Sequence, residues 1–218
     1  MMVSAISNLE MKKEFLVFLR NQDILSTSVR GVTNATETHD GDGSTRTFNF
    51  TNSGVKNVRS VTVGGSGQTN YTDYDVNYYD GTITFTSAPA SGTDNISIDL
   101  DYGGDKIYDD WPRDDLTLSS FPRISFDIIS KASTEQALKG ELTVSRLVLS
   151  VTVFADTKKQ IEDAIDSIRS AVLNNKTGFN YFDYLTADNE GPLVENGMSR
   201  NKILQKNIDF VAPVQIEN

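Results

Sequence analysis

The chain has 218 residues, 38% of them hydrophobic, and carries a formal net charge of −10 with one histidine and no cysteine. That length can bury one large core or two small ones, while the lack of cysteine excludes disulfides, thiolate nucleophiles and zinc-thiolate sites. No run approaches the ~20 apolar residues that span a bilayer, and no basic stretch precedes an apolar one at the N-terminus, so neither membrane insertion nor a standard secretory signal is expected.

Ser7 and Glu10 have capping-box spacing, and Leu9, Phe15, Leu16, Phe18 and Leu19 recur at helical steps, which predicts one amphipathic helix ending near Asn21. From Gly31 the texture changes to Thr, Asn, Ser, Asp and Gly with short β-rich runs. Phe48 and Phe50 alternate with Thr47 and Asn49, and Val61 and Val63 precede Gly64-Gly65-Ser66-Gly67. Tyr74, Val76 and Tyr78 lead into Asp80-Gly81, a strong hairpin signal; Ile83 and Phe85 follow, and Ile96, Ile98 and Leu100 alternate with Ser97, Asp99 and Asp101. Short strands at this spacing predict a small β-sandwich-like module within residues 31–103. A compact module inserted at a surface loop leaves its host discontinuous, so residues 1–30 and 104–218 are expected to form one α+β domain.

Gly103-Gly104 closes the insert, and an acidic connector, Asp105 to Asp115, holds the only tryptophan, Trp111. Beyond it Ile124, Phe126 and Ile128 alternate with Arg123, Ser125 and Asp127, and Leu147, Leu149, Val151 and Val153 alternate with Ser150 and Thr152. Two half-buried strands are predicted, pairing in one antiparallel sheet. Asp156 is expected to cap a helix whose Ile161, Ala164, Ile165, Ile168, Ala171 and Val172 form one apolar stripe that a sheet must cover. The predicted sheet is therefore covered by two helices. Phe179, Tyr181, Phe182 and Tyr184 suggest a further strand, residues 186–202 a long polar loop, and Ile208, Phe210, Ala212 and Val214 a closing strand.

Most candidate chemistry fails on its own requirements. His39, the sole histidine, lies in a Thr/Asp/Gly loop with no nucleophile or second metal ligand beside it, and reads as an exposed loop residue. Asp40-Gly41-Asp42-Gly43-Ser44 begins like a calcium loop, but Thr45 stands where glycine is needed and Thr51 where the bidentate glutamate belongs. A turn leading into the Phe48 strand is the better reading. Asp109, Asp110, Asp114 and Asp115 surround Trp111 without the facing, differently housed carboxylates that a glycosidase requires. No catalytic residue, cofactor or metal is expected. The acidic excess sits in the middle of the chain, with 9 acidic against 4 basic residues in 30–103 and 5 against 2 in 104–115. Tight binding to nucleic-acid phosphates, which needs clustered Lys and Arg, is disfavoured.

Residues 41–102 resemble a small β module of structural proteins of tailed bacterial viruses. The likeness rests on Gly41-Asp42-Gly43-Ser44-Thr45 before an aromatic strand, Val61-Thr62-Val63-Gly64, Asp73-Tyr74-Asp75-Val76, Gly81-Thr82-Ile83-Thr84-Phe85 and Ala88-Pro89-Ala90-Ser91-Gly92. The remainder resembles the tail-terminator or head-to-tail joining proteins of long-tailed phages. It shares their N-terminal helix, Phe121-Pro122-Arg123-Ile124 opening a strand, a second long strand, a helix from Asp156 to Leu173 and the closing Gln205-Lys206-Asn207-Ile208-Asp209-Phe210 strand.

This resemblance implies a non-enzymatic virion protein of the tail neck, assembled in the host cytoplasm. It would form a homo-oligomeric ring, a hexamer, that terminates the tail tube, meets the head connector and lets DNA pass without specific binding. Heterologous ring contacts could use an open sheet edge and the 186–202 loop. The interface candidates are Phe121, Arg123, Arg146, Glu190, Leu193, Val194, Met198 and Arg200, with Tyr71 and Tyr79 as exposed candidates on the insert. A fibre or baseplate component, and a glycan-binding module using Tyr71, Tyr74, Tyr78 and Tyr79, are the competing readings.

Overall fold

The computed structural model describes residues 8–109, 121–135, 142–181, 184–196 and 203–217. Ser7, Asp110, Trp111, Asp114, Asp115, Met198 and Arg200 lie outside the described residues, as do the predictions that fall on them. In chain order the elements are α1 (Asn8–Asn21), α2 (Thr27–Arg30), β1 (Val32–Gly41), β2 (Thr47–Asn49), β3 (Val55–Val63), β4 (Ser66–Gly67), β5 (Tyr74–Asn77), β6 (Thr82–Phe85), β7 (Gly92–Gly103), β8 (Ile107–Tyr108), β9 (Arg123–Glu135), β10 (Leu142–Ala155), α3 (Lys158–Asn174), β11 (Thr186–Glu190), β12 (Val194–Asn196) and β13 (Ile203–Glu217). Among the described residues the fold is mixed, mostly β with three helices, and its strand pairs are antiparallel apart from β8 with β9. Two compact units divide the chain: Ser26–Asp105, and Met1–Leu25 together with Lys106–Asn218. Among the described residues no helix is long and apolar enough to cross a membrane.

In the Ser26–Asp105 unit, β1-β7-β3-β4 form one sheet and β2-β6-β5 another. One apolar cluster draws on both: Val55, Val58 and Val61 of β3, Tyr74 and Val76 of β5, Ile83 and Phe85 of β6, and Ile96, Ile98 and Leu100 of β7. The three β3 valines recur every third residue because the β3–β7 register slips at Val55/Asn57 and again at Val58/Ser60. Each slip adds a residue and turns the next valine back inward. Gly64 and Gly65, both at positive φ, make the tight turn from β3 to β4. The Asp80-Gly81 turn is longer than a two-residue hairpin. Only Gly81 takes positive φ there, and the Asn77 carboxamide oxygen accepts from the Tyr79 and Asp80 amides at 3.0 Å.

His39 departs from expectation. It lies in β1 opposite Ile96, its side chain 16% exposed, with its ring 5.6 Å from that of Phe48 and Nε2 3.7 Å from the Glu37 carboxylate. The polar texture of residues 32–41 hides a strand because its outward positions carry Thr36, Thr38 and Asp40. Asp42 caps the next turn, accepting from the Ser44 and Thr45 amides and the Thr45 hydroxyl. These bonds hold its carboxyl well below the usual carboxylate range.

In the second unit a six-stranded sheet runs β11-β13-β10-β9-β8, with β12 also on β13. β10 pairs along its length with β13 on one side and with β9 on the other. Leu147, Leu149, Val151 and Val153 all face one side and are fully buried. The same register places Ile124 and Phe126 of β9 and Ile208, Phe210 and Ala212 of β13 beside them. Phe15 of α1 meets this face, its ring 5.1 Å from that of Phe126 and 6.3 Å from that of Phe210. Helix α3 buries Ile161, Ala164, Ile165, Ile168 and Val172. Its cap is Thr157, not Asp156: Thr157 has extended backbone and its hydroxyl accepts from the Gln160 amide at 3.3 Å.

The expected strand around Phe179 to Tyr184 is not there among the described residues, and strands β11 and β12 occupy the stretch read as a loop. Phe179 is used for packing instead, its ring 4.9 Å from Phe18. Next to it, the buried Glu14 carboxylate accepts from the Asn180 amide at 2.6 Å, its side-chain amide at 2.9 Å and the Tyr181 amide at 3.1 Å. Burial outweighs these bonds and pushes the Glu14 carboxyl up from 4.5.

Two outcomes follow. Phe15→Ala leaves a cavity beneath the sheet and lowers the unfolding free energy by roughly 3–5 kcal/mol, read by denaturant titration. Glu14 is protonated more readily folded than unfolded, so its stabilising contribution is complete below 4.5 and fades as pH rises through its raised folded value. The stability of the natural chain, measured against Glu14→Gln, therefore improves as pH is lowered from neutral towards 4.5; parallel pH profiles for the two proteins would refute this.

Candidate interaction surface

The six-stranded sheet ends differently at its two sides. On one side β8 covers only Ile124 and Ser125 of β9, so from Phe126 onward the outer edge of β9 pairs with no described strand. The β9–β10 register shifts at Val148/Leu149, which leaves Ile129 as an extra residue. Such a bulge turns its side chain out of the ladder, and Ile129 is 59% exposed. On the other side β11 and β12 follow one another along β13, against Ile208 to Val211 and Ile203 to Gln205, and their own outer edges are unpaired among the described residues. Leu193 and Val194, between and within these strands, are 37% and 38% exposed.

Charge fixes β11 in place. Glu190 receives Lys206 at 2.5 Å and also pairs with Arg169 of α3. Lys206, whose side chain is 11% exposed, reaches Glu162 of α3 at 2.9 Å as well. Arg169 in turn meets Asp166 at 2.7 Å. On the opposite face Asp188, the extra residue where the β11 register shifts, pairs with Arg146 at 3.2 Å. The charged groups of the edge thus have partners within the chain, and what it offers outward is backbone and the Leu193-Val194 pair.

The interface candidates divide accordingly. Arg146, Glu190, Leu193 and Val194 lie on or beside the β11–β12 side, and Met198 and Arg200 are outside the described residues. Phe121 and Arg123, expected at the surface, are each 8% exposed. The reason is β8: the Ile124 amide donates to the Lys106 carbonyl at 2.8 Å, so the start of β9 is not an edge. Burial, and then the neighbouring Arg123 charge, hold the Lys106 ammonium below its ordinary range. In the Ser26–Asp105 unit Tyr79 is 97% exposed, whereas Tyr71 is half-buried at positive φ, Tyr74 is buried and the Tyr78 hydroxyl accepts from the Val58 amide at 3.3 Å. One fully exposed tyrosine is not a stacking platform.

Ile129 and Lys206 were missed in the sequence. The signal for Ile129 was the adjacent pair Ile128-Ile129, which breaks an otherwise strict alternation. Lys206 gave no local signal, because Glu162 lies 44 residues away. Among the described residues no group of three or more His, Asp or Glu side chains could hold a metal ion.

Lys206→Met removes the cation that Glu162 and Glu190 share and leaves Arg169 as the α3 partner of Glu190. The β11 amides should exchange with solvent roughly tenfold faster while those of β10 keep their protection; unchanged β11 exchange would show that its backbone pairing alone holds it.

No protein-family model matches this chain, and no curated protein is significantly similar to it.

Proposed function

We propose that this chain is a structural virion protein of a tailed virus, a ring-forming subunit that terminates the tail tube and joins it to the head connector. The observation that carries the reading is the pair of open edges on one sheet, with Ile129 exposed on one side and Leu193 and Val194 on the other. When the edge on one side mates with the unlike edge on the other, the contact is head to tail, and that is the contact which builds a closed ring when the rotation closes. The resemblance of residues 41–102 and of the flanking halves to phage structural and tail-joining proteins supports the setting. In this reading α1 and α3 together cover one face of the six-stranded sheet, the Ser26–Asp105 unit is a β-sandwich inserted into that domain, and the ring encircles DNA without specific contacts. A glycan-binding accessory is the second reading, favoured only by the exposure of Tyr79.

Light scattering across a concentration series, followed by negative-stain imaging, tests the proposal. The expected result is a ring of about six subunits, in solution or on purified tail tubes. Ile129→Asp, and separately Leu193→Asp with Val194→Asp, should each return the mass to that of one subunit while far-ultraviolet dichroism stays the same. A natural chain that stays monomeric at every concentration and does not cosediment with tail tubes ends the proposal. Binding on a glycan array would put the second reading in its place.

A further inference from the structure

The Ser26–Asp105 unit is closed at its root by buried charge. Arg30, the last residue of α2, has a side chain with no exposed surface, as does Asp101 of β7. The Arg30 Nη1 lies 3.3 Å from Asp101 Oδ2, and its Nε 3.3 Å from Asp105 Oδ1. Asp101 is held from both flanking strands as well: Arg59 of β3 donates to Oδ1 at 2.8 Å, and the Asn34 side-chain amide of β1 donates to the same oxygen. Residues 71 and 75 positions apart in the chain are thereby tied at one point.

The backbone is tied there too. The Gly104 amide donates to the Gly31 carbonyl at 3.3 Å, and the Gly103 amide to the Gly54 carbonyl at 3.2 Å. The approach at Gly104 is so close that a Cβ would stand 2.9 Å from the Gly31 oxygen. The first and last residues of the unit are therefore held by their own contacts.

We infer that the Arg30–Asp101–Asp105 cluster is a clasp that makes the Ser26–Asp105 unit open and close as one cooperative body, with its stability set at its own root. The physical ground is the asymmetry of buried ion pairs. Replacing Arg30 takes from the dehydrated Asp101 carboxylate its fully buried cation, with Arg59 remaining. Neutralising Asp101 takes a carboxylate from the dehydrated Arg30, with Asp105 remaining. Losing a partner from a buried cluster costs far more than the intact pair contributes. The root cannot loosen without exposing Arg30 and Asp101 together, and both are joined to β1, β3 and β7, so partial fraying is suppressed. Cooperative units of this kind have their own opening free energy.

Hydrogen exchange of the full-length protein, followed by mass spectrometry, tests this with Asp101→Asn and Arg30→Met. In either variant the amides of β1, β3 and β7 should exchange on the order of a hundredfold to a thousandfold faster, while those of β10 and β13 stay within about twofold of the natural chain. A variant whose Ser26–Asp105 unit is unfolded from the outset, with β10 and β13 still protected, supports the inference equally. Acceleration spread over both units, or none in β1, β3 and β7, overturns it. Asp99→Asn, one rung along and half-buried, should change exchange in these strands far less than Asp101→Asn, and an equal effect would also overturn it.

Discussion

The six-stranded unit depends on one constraint, the pairing of β10 on both sides. A strand bonded to neighbours along both edges cannot rotate about its axis, so the side-chain period of two becomes a rule of location. Leu147, Leu149, Val151 and Val153 must all face the same way, and their partners in β9 and β13 must follow. That face needs a cover, and Phe15 is the residue that meets it across two strands at once. From the same constraint comes the polar character of the other face, where Ser150 donates to Asp209 at 2.7 Å across the β10–β13 pair. The sheet edges are then what remains: positions where no described strand supplies a partner.

The Ser26–Asp105 unit obeys the same rule through β7, flanked by β1 and β3. The face of β7 turned away from Ile98 and Leu100 carries Asp99 and Asp101, which in an isolated strand would be a poor choice because aspartate is depleted from strands. Here each carboxylate spans the ladder. Asp99 accepts from Thr36 of β1 at 2.6 Å and from Ser60 of β3 at 2.9 Å, which holds its carboxyl below the ordinary range. Asp101 repeats the arrangement one rung away with Asn34 and Arg59. The three strands are therefore joined by side chains on the face that has no apolar cover.

Alternation carried most of what could be read in the sequence. The strands around Phe126, Val151, Val76, Ile83, Ile98 and Phe210, and the stripe from Ile161 to Val172, were all legible, because each depends only on residues close in the chain. What failed depends on distant partners. β1 escaped notice since its inward positions are few and its neighbour β7 lies far along the chain, Val32 pairing with Gly103 and Gly41 with Gly92. β11, with the sequence TADNE and every residue exposed, has no strand signature of its own and exists because β13 offers an edge and α3 offers Arg169. The aromatics at 179–184 misled for the opposite reason, since Phe179 serves the ring cluster with Phe18 rather than a ladder. Of the candidate surface, Leu193 and Val194 were legible as apolar residues in a polar stretch, while Phe121 and Arg123 were hidden by two residues of β8.

The acidic balance takes on a different meaning once its partners are known. All nine acidic residues of 30–103 accept hydrogen bonds, from backbone amides in the cases of Glu37, Asp40, Asp42, Asp73 and Asp75, and from side chains in those of Asp80, Asp94, Asp99 and Asp101. A module of short strands and tight turns leaves many amides unpaired, and aspartate answers them with a short side chain and a full charge. The negative charge is thus a consequence of how the module is built rather than a feature added for a ligand. Among the described residues of the six-stranded unit, the backbone edges beside Ile129 and beside Leu193 and Val194 are groups that no described strand pairs.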